Sequence, residues 1–350
     1  MLRRTVAGSV VLMLVLLITR LSPRAADTLP SQIPDAEFWR MVNEFSEPDG
    51  FFQFENFVSN EPTYQLVLPQ VTQLIKPGGA YLGVAPEQNF TYIAATRPQI
   101  AFIVDIRRQN MIELLVYKAL FELAPSRAEF MSKLFSRKQP GGLTANSTPD
   151  QLFRAYETVP ADPQLLAATL QAVRDRLITQ RGFKPVGDDE KKIEMILGVF
   201  RTGGPGMDYG FASPRRPAAT LPSYYNLMVS NDGKGKNWAY LASEENYRFI
   251  REMQQKNLIV PVVGDFGGPK AIKAIGSYLT SHGAMTRLFY LSNVEDYLQA
   301  SWPNYLSNLA ALPQDDTTLL IRFDPNMDKP ITSLRLMKDT PKTWPGRSWR

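Results

Sequence analysis

The chain contains no cysteine. Disulfide staples, thiol nucleophiles and zinc–thiolate centres are excluded at once. It contains one histidine, His282. A Ser–His–Asp triad would have to use that residue, and a multi-histidine metal site cannot be built. Ser281-His282-Gly283 reads instead as a helix end, with the imidazole near the last carbonyls. A strong charge of one sign is also missing. Thirty-nine basic residues stand against 34 acidic ones, and a net +5 is too small to argue for nucleic acid as a partner. Part of that excess sits in Ser333–Arg350, where Arg335, Lys338, Lys342, Arg347 and Arg350 face only Asp339. This stretch reads as a solvated tail.

What is present is ordinary globular composition, 44% hydrophobic and 21% charged, enough to build one large core or two small ones. The start of the chain is different. Met1–Arg4 is basic, Thr5–Thr19 is uncharged and rich in Val, Leu and Met, and Arg20, Arg24, Ala25 and Ala26 follow. That order is a signal-peptide pattern. The apolar segment falls short of the ~20 residues of a spanning helix. Residues 1–26 are therefore expected to be a signal peptide or an N-terminal membrane anchor. The domain, residues 27–350, is expected to be periplasmic or membrane-anchored on the outer side, with the membrane a partner through this segment alone.

Asp35–Phe45 carries a helical apolar stripe, Phe38, Met41, Val42 and Phe45. A second helix is expected from Pro62 toward Ile75, capped by Ser59 or Asn60. An α/β rhythm then begins. Ala80–Ala85 and Ile100–Val104 are short continuous apolar runs, as in strands buried on both faces of a parallel sheet. The segment after Pro86 and the segment Ile106–Leu123 read as helices. Strand, helix, strand, helix in so short a span argues a right-handed βαβ unit. From about 124 to 215 the apolar spacing is helical only, so a helical insertion is expected there. Strands resume at Ile259–Val263, Arg287–Leu291 and Thr317–Phe323. Ser223–Trp238, with Gly233 and Gly235, reads either as a substrate lid or as a surface loop.

Four of these strands end in polar or turn residues: Gly83, Asp105, Gly264-Asp265 and Ser292-Asn293. In an open parallel sheet, ligands sit outside the carboxyl ends of the strands. Asp105 stands 22 residues after Gly83. An acid near that spacing can accept from both ribose hydroxyls of an adenosine ligand, or it can cap the helix that follows.

This set resembles the class I S-adenosylmethionine-dependent methyltransferases. Tyr81-Leu82-Gly83-Val84-Ala85-Pro86-Glu87 stands where that family has its first-strand glycine loop. Ile103-Val104-Asp105 looks like the second strand with its ribose-binding acid. Val263-Gly264-Asp265 looks like the third, with an acid near the adenine, and Leu288–Asn293 like the fourth with its site-facing tip. Ala85 and Glu87 occupy places where further glycines would fall, and Tyr81 occupies the place of the acid before the first glycine. The resemblance implies a Rossmann-like α/β fold and a small-molecule ligand, S-adenosylmethionine. Its binding residues would be Gly83, Glu87, Asp105, Asp265 and Asn293, with Glu87 standing in for the missing acid. The function it implies is that of a methyltransferase-like protein whose acceptor the sequence leaves open. The alternative is an exported or membrane-attached, non-catalytic binding protein on the same fold. The single-glycine loop speaks against a dinucleotide oxidoreductase.

Overall fold

The computed structural model describes residues 27–212, 221–325 and 329–347. The expected signal or anchor segment, residues 1–26, lies outside the described residues. Among those described, no helix is long and apolar enough to cross a membrane.

The architecture is α/β, with one six-stranded, mostly parallel sheet, compatible with a Rossmann-like fold. The strands are β1 (Ala80–Gly83), β2 (Ile100–Asp105), β3 (Ile259–Val263), β4 (Thr286–Tyr290), β5 (Leu319–Asp324) and β6 (Ile331–Leu336). They lie in the order β3-β2-β1-β4-β5-β6. Every residue of β1, β2 and β3 is buried, which is why these segments show no polar alternation in sequence. The first five strands run parallel, and β6 runs antiparallel to β5.

Helices α1 (Asp35–Phe45) and α2 (Leu68–Leu74) precede β1, and α3 (Gln88–Thr96) joins β1 to β2. Helix α4 (Arg108–Leu123) follows β2 and is buried over most of its surface. Between α4 and β3 come α5 (Arg127–Phe135), α6 (Pro149–Glu157), α7 (Pro163–Arg174), α8 (Asp189–Gly203), α9 (Tyr224–Val229) and α10 (Glu244–Gln255), with a π-helical turn at Asp175–Gln180. None of the described residues of that long segment adds a strand to the sheet. Helix α11 (Ala271–Ser281) follows β3, and α12 (Trp302–Ala311) lies between β4 and β5. His282 is the C-cap of α11, its Nδ1 2.9 Å from the Tyr278 carbonyl oxygen, as the sequence suggests.

Three expectations need correction. The helix expected from Pro62 starts only at Leu68, and 62–67 form successive turns. Tertiary polar contacts hold those turns: Tyr64 donates to the Leu227 carbonyl at 2.9 Å, and the Gln65 amide donates to the Ser230 carbonyl at 3.0 Å. The solvated tail is also structured. Its first residues pair along β5 as β6, and its later ones fold back on the protein, with the Trp344 indole donating to the Glu295 carbonyl at 2.9 Å. Finally, no residue from Ser223 to Trp238 lines the cleft described below, so the lid reading falls. A Ser223 capping box starts α9, and Trp238 donates from its ring to Asp232 at 2.9 Å, which fixes this stretch locally.

Candidate active-site cleft

With β1 feeding β2 on one side and β4 lying on its other side, the strand order reverses between β1 and β4. That is where an open α/β sheet leaves a crevice at its carboxyl edge. A cleft of about 500 Å³ lies there. Its lining includes Val84 and Ala85 after β1, Asp105 at the end of β2, Gly264 and Asp265 after β3, and Tyr290, Ser292 and Asn293 at β4. Two of these residues sit in the left-handed region without being glycine: Ala85 at φ 65° and Ser292 at φ 49°. Such conformations are costly for side-chain-bearing residues and tend to mark functional sites. Here they flank the switch point on both sides.

Three of the residues expected from the sequence, Asp105, Asp265 and Asn293, meet in this cleft. The other two do not line it. At Gly83 a β-carbon would sit 1.9 Å from Asn89 Oδ1 and 2.6 Å from the Tyr81 hydroxyl. The glycine makes room for a neighbouring side chain, and ligand access is not its reason. Asn89 uses that room to tie down the β1–α3 turn. Its amide donates to the carbonyls of Val84, Ala85 and Pro86 at 2.8, 2.9 and 2.7 Å, and its Oδ1 accepts from Tyr81 at 2.7 Å. Glu87 is fully buried behind the turn. Its carboxyl faces the backbone N–H groups of Ser59, Glu87 and Gln88 at the start of α3.

Burial pushes the Glu87 carboxyl up to about 8, against those backbone donors. A carboxyl raised from 4.5 in the unfolded chain gives stability that is full below pH 4.5 and is lost as pH rises through about 8. Glu87→Gln removes this dependence. Between pH 5 and 8.5 the stability of the variant is expected to gain on the parent, by an amount on the order of a few kcal/mol across the window, read as a widening difference in melting temperature. Parallel melting curves of parent and variant over that range would rule the titration out.

Asp105 is 7% exposed. Its Oδ1 accepts from the Arg107 N–H at 2.9 Å, and the Ala85 N–H also faces the carboxyl. Burial raises its pKa, and the Arg107 guanidinium, 4.0 Å away, opposes that. Arg107 is the N-cap of α4, so Asp105 orders the turn into the helix without taking the capping position itself. Arg107 also fixes the wall opposite. It donates to the Phe54 carbonyl at 2.9 Å, pairs with Glu55 at 3.2 Å and bonds the Asn56 side chain.

A third carboxyl on the cleft floor goes unmarked in the sequence. Glu61, 1% exposed, accepts from Tyr290 at 2.7 Å, from Ser292 at 2.5 Å and from Gln88 at 2.9 Å. Burial raises its pKa and the three donors lower it. The same loop brings Phe51, Phe52 and Phe54, which face Tyr209 and Tyr297 across the mouth. Glu61 and the phenylalanines lie in a turn-rich stretch with no periodicity, where only the run of aromatics among several acids could have pointed to them.

A further carboxylate settles the edge beyond β3. Glu47 accepts from the N–H groups of Asp265, Lys270 and Ala271 at 3.1, 2.7 and 2.8 Å, and so fills the N-terminus of α11. Among the described residues, no group of three or more potential metal ligands occurs.

A mostly parallel sheet with a cleft at its switch point, Asp105 and Asp265 at the strand ends, is the architecture of the open α/β proteins. Within that class the chain belongs to the family described as a domain of unknown function, DUF7790, whose model matches residues 56–333. The match takes in β1 to β5, Glu61 and every strand-end residue of the cleft. No curated protein matches the chain.

Proposed function

We propose that the cleft binds S-adenosylmethionine and that the protein is methyltransferase-like, built on a class I methyltransferase-like sheet. One observation carries the reading: the chemistry of the lining. Glu61, Asp105 and Asp265 line the cleft, and among the described residues no lysine, arginine or histidine does. The helix N-terminus after β3, a natural seat for a phosphate, is filled by Glu47, and at the one after β1 the carboxyl-bearing Glu87 is the N-cap residue. Such a site disfavours dinucleotides and other phosphate-bearing cofactors. It suits a ligand that carries hydroxyl donors and positive charge and has no phosphate. S-Adenosylmethionine has a ribose diol, an ammonium and a sulfonium. The antiparallel β6 also departs from the all-parallel order of the dinucleotide-binding fold. In this reading Asp105 accepts from the ribose hydroxyls, Asp265 lies toward the adenine and Asn293 faces the reacting end. Gly83 and Glu87 shape the turn from behind. Calorimetric titration of the protein with S-adenosylmethionine and S-adenosylhomocysteine tests this. Saturable binding of both is expected, and absence of heat with either up to millimolar concentration overturns it.

A second reading rests on Met1–Ala26, whose order of basic, apolar and small residues is that of an export signal. In it the domain stands on the outer side of the membrane and binds its ligand without chemistry. An active C-terminal alkaline phosphatase fusion is expected if the domain is exported. An inactive fusion beside an active cytoplasmic reporter removes this reading.

A further inference from the structure

The mouth of the cleft differs from its floor. The floor is carboxylate: Glu61 and Asp105 are almost wholly buried there. The mouth is aromatic. Tyr297 lies 5.7 Å from Phe52, Phe52 lies 5.9 Å from Phe54, and Phe54 lies 5.9 Å from Tyr209, centroid to centroid. All four rings line the cleft. Their planes do not stack. Phe52 meets Tyr297 at 78° and Phe54 at 65°, and Phe54 meets Tyr209 at 54°. A slot for a flat ring needs parallel walls. Walls at steep angles make a corner, which suits a rounded group that several ring faces can touch at once.

Charge narrows the occupant. Tyr209 feels the field of Arg107 and, opposing it, those of Asp105 and Glu61. Ring faces are electron-rich, and beside buried carboxylates they attract organic cations. Two arginines act on the cage. Arg107 lies 5.9 Å from the Phe52 centroid, is not itself a lining residue, and is balanced by Glu55 at 3.2 Å and Asp105 at 4.0 Å. Arg347 reaches Tyr297 electrostatically and likewise does not line the cleft. Among the described residues, then, the lining includes carboxylates and aromatic rings and no cationic side chain.

We propose that Phe52, Phe54, Tyr209 and Tyr297 form a cage for a second ligand, an organic cation of the alkylammonium class. The proposal rests on the reading of the cleft as a small-molecule site, and under the methyltransferase reading it names an amine, or the ammonium it becomes, as the class of the other ligand.

The test uses two probes of one shape, 3-hydroxyphenyltrimethylammonium and its neutral isostere 3-tert-butylphenol, with 3-hydroxybenzenesulfonate as the anion. Each is titrated into the full-length protein with tryptophan and tyrosine fluorescence or heat as the readout. The ammonium is expected to bind saturably, roughly tenfold or more tighter than the neutral isostere, and the sulfonate not at all. Phe52→Leu and Tyr297→Leu, which keep apolar bulk and remove the ring faces, are expected to lose most of that preference while binding of 3-tert-butylphenol changes little. Equal affinity for the ammonium and the neutral isostere in the unaltered protein overturns the cage, as does a preference that survives both substitutions. Should either variant fail to fold, the comparison of the probes in the unaltered protein still decides. S-Adenosylhomocysteine is titrated separately. If it binds and the ammonium does not, the cage fails and the methyltransferase reading stands. If the ammonium binds and S-adenosylhomocysteine does not, the reverse holds.

Discussion

Gly83→Ala is expected to lower the melting temperature by roughly 6–10 °C, the largest loss of stability among single substitutions in the cleft region. The new β-carbon would lie 1.9 Å from Asn89 Oδ1 and 2.6 Å from the Tyr81 hydroxyl. Neither neighbour is a free chain end. Asn89 holds three carbonyls of the β1–α3 turn, and Tyr81 is 1% exposed. To relieve the overlap Asn89 must leave, which strands buried acceptors at about 1–3 kcal/mol each. Retaining Asn89 means overpacking of similar size. Scanning calorimetry of the variant measures the loss. The double variant Gly83→Ala, Asn89→Ala should show strong coupling, because it removes the clash along with the bonds. A melting temperature within about 2 °C of the parent, on the scale of ~2–4 °C per kcal/mol, would show that Gly83 is not where the turn is set.

Asp105→Ala is expected to weaken S-adenosylhomocysteine by about tenfold or more, since charge-assisted hydrogen bonds contribute roughly 1.5–3 kcal/mol and ~1.4 kcal/mol is a factor of ten. Asp105→Asn should lose less, because one acceptor oxygen remains. The structure adds a second effect. Oδ1 already accepts from the Arg107 N–H, so the alanine variant also loosens the entry to α4. A modest loss of stability, ~1 kcal/mol, read as a lowered melting temperature, should accompany the loss of affinity. Measuring both on the same variant separates the roles. A lowered melting temperature with unchanged affinity would leave Asp105 as a turn residue only and take away the ribose contact.

Much of the sheet was legible because its signal is local. Ile100–Asp105 and Ile259–Val263 are continuous apolar runs ended by turns, and burial on both faces produces that pattern. Asp105, Asp265 and Asn293 could be placed in one cleft because parallel strands deliver their ends to one edge. Gly83 and Glu87 flank the same turn, yet spacing does not say which way a carboxyl faces or which neighbour a glycine makes room for: Glu87 is buried behind the turn, and Gly83 yields its space to Asn89. Glu61 was invisible because its meaning comes from Tyr290 and Ser292, more than two hundred residues later. Strand β6 was hidden for another reason. It is an edge strand with Ile331 and Ser333 exposed, and charges of the kind that protect an edge read in sequence as a tail.

The closing stretch of the chain has a consequence for the order in which the molecule is made. Arg335 bonds Glu295, which also takes Arg322 at 2.7 Å and Tyr305 at 2.8 Å, and the Trp344 ring holds the Glu295 carbonyl. Glu295 sits between Val294 and Tyr297, two residues of the cleft wall. During synthesis the first strands and Asp105 leave the ribosome early, and the wall that faces them receives its ties in order, from Tyr305, then Arg322, then Arg335 and Trp344. The crevice is therefore closed in stages, its far wall braced by residues that lie more than two hundred positions after the strands it faces.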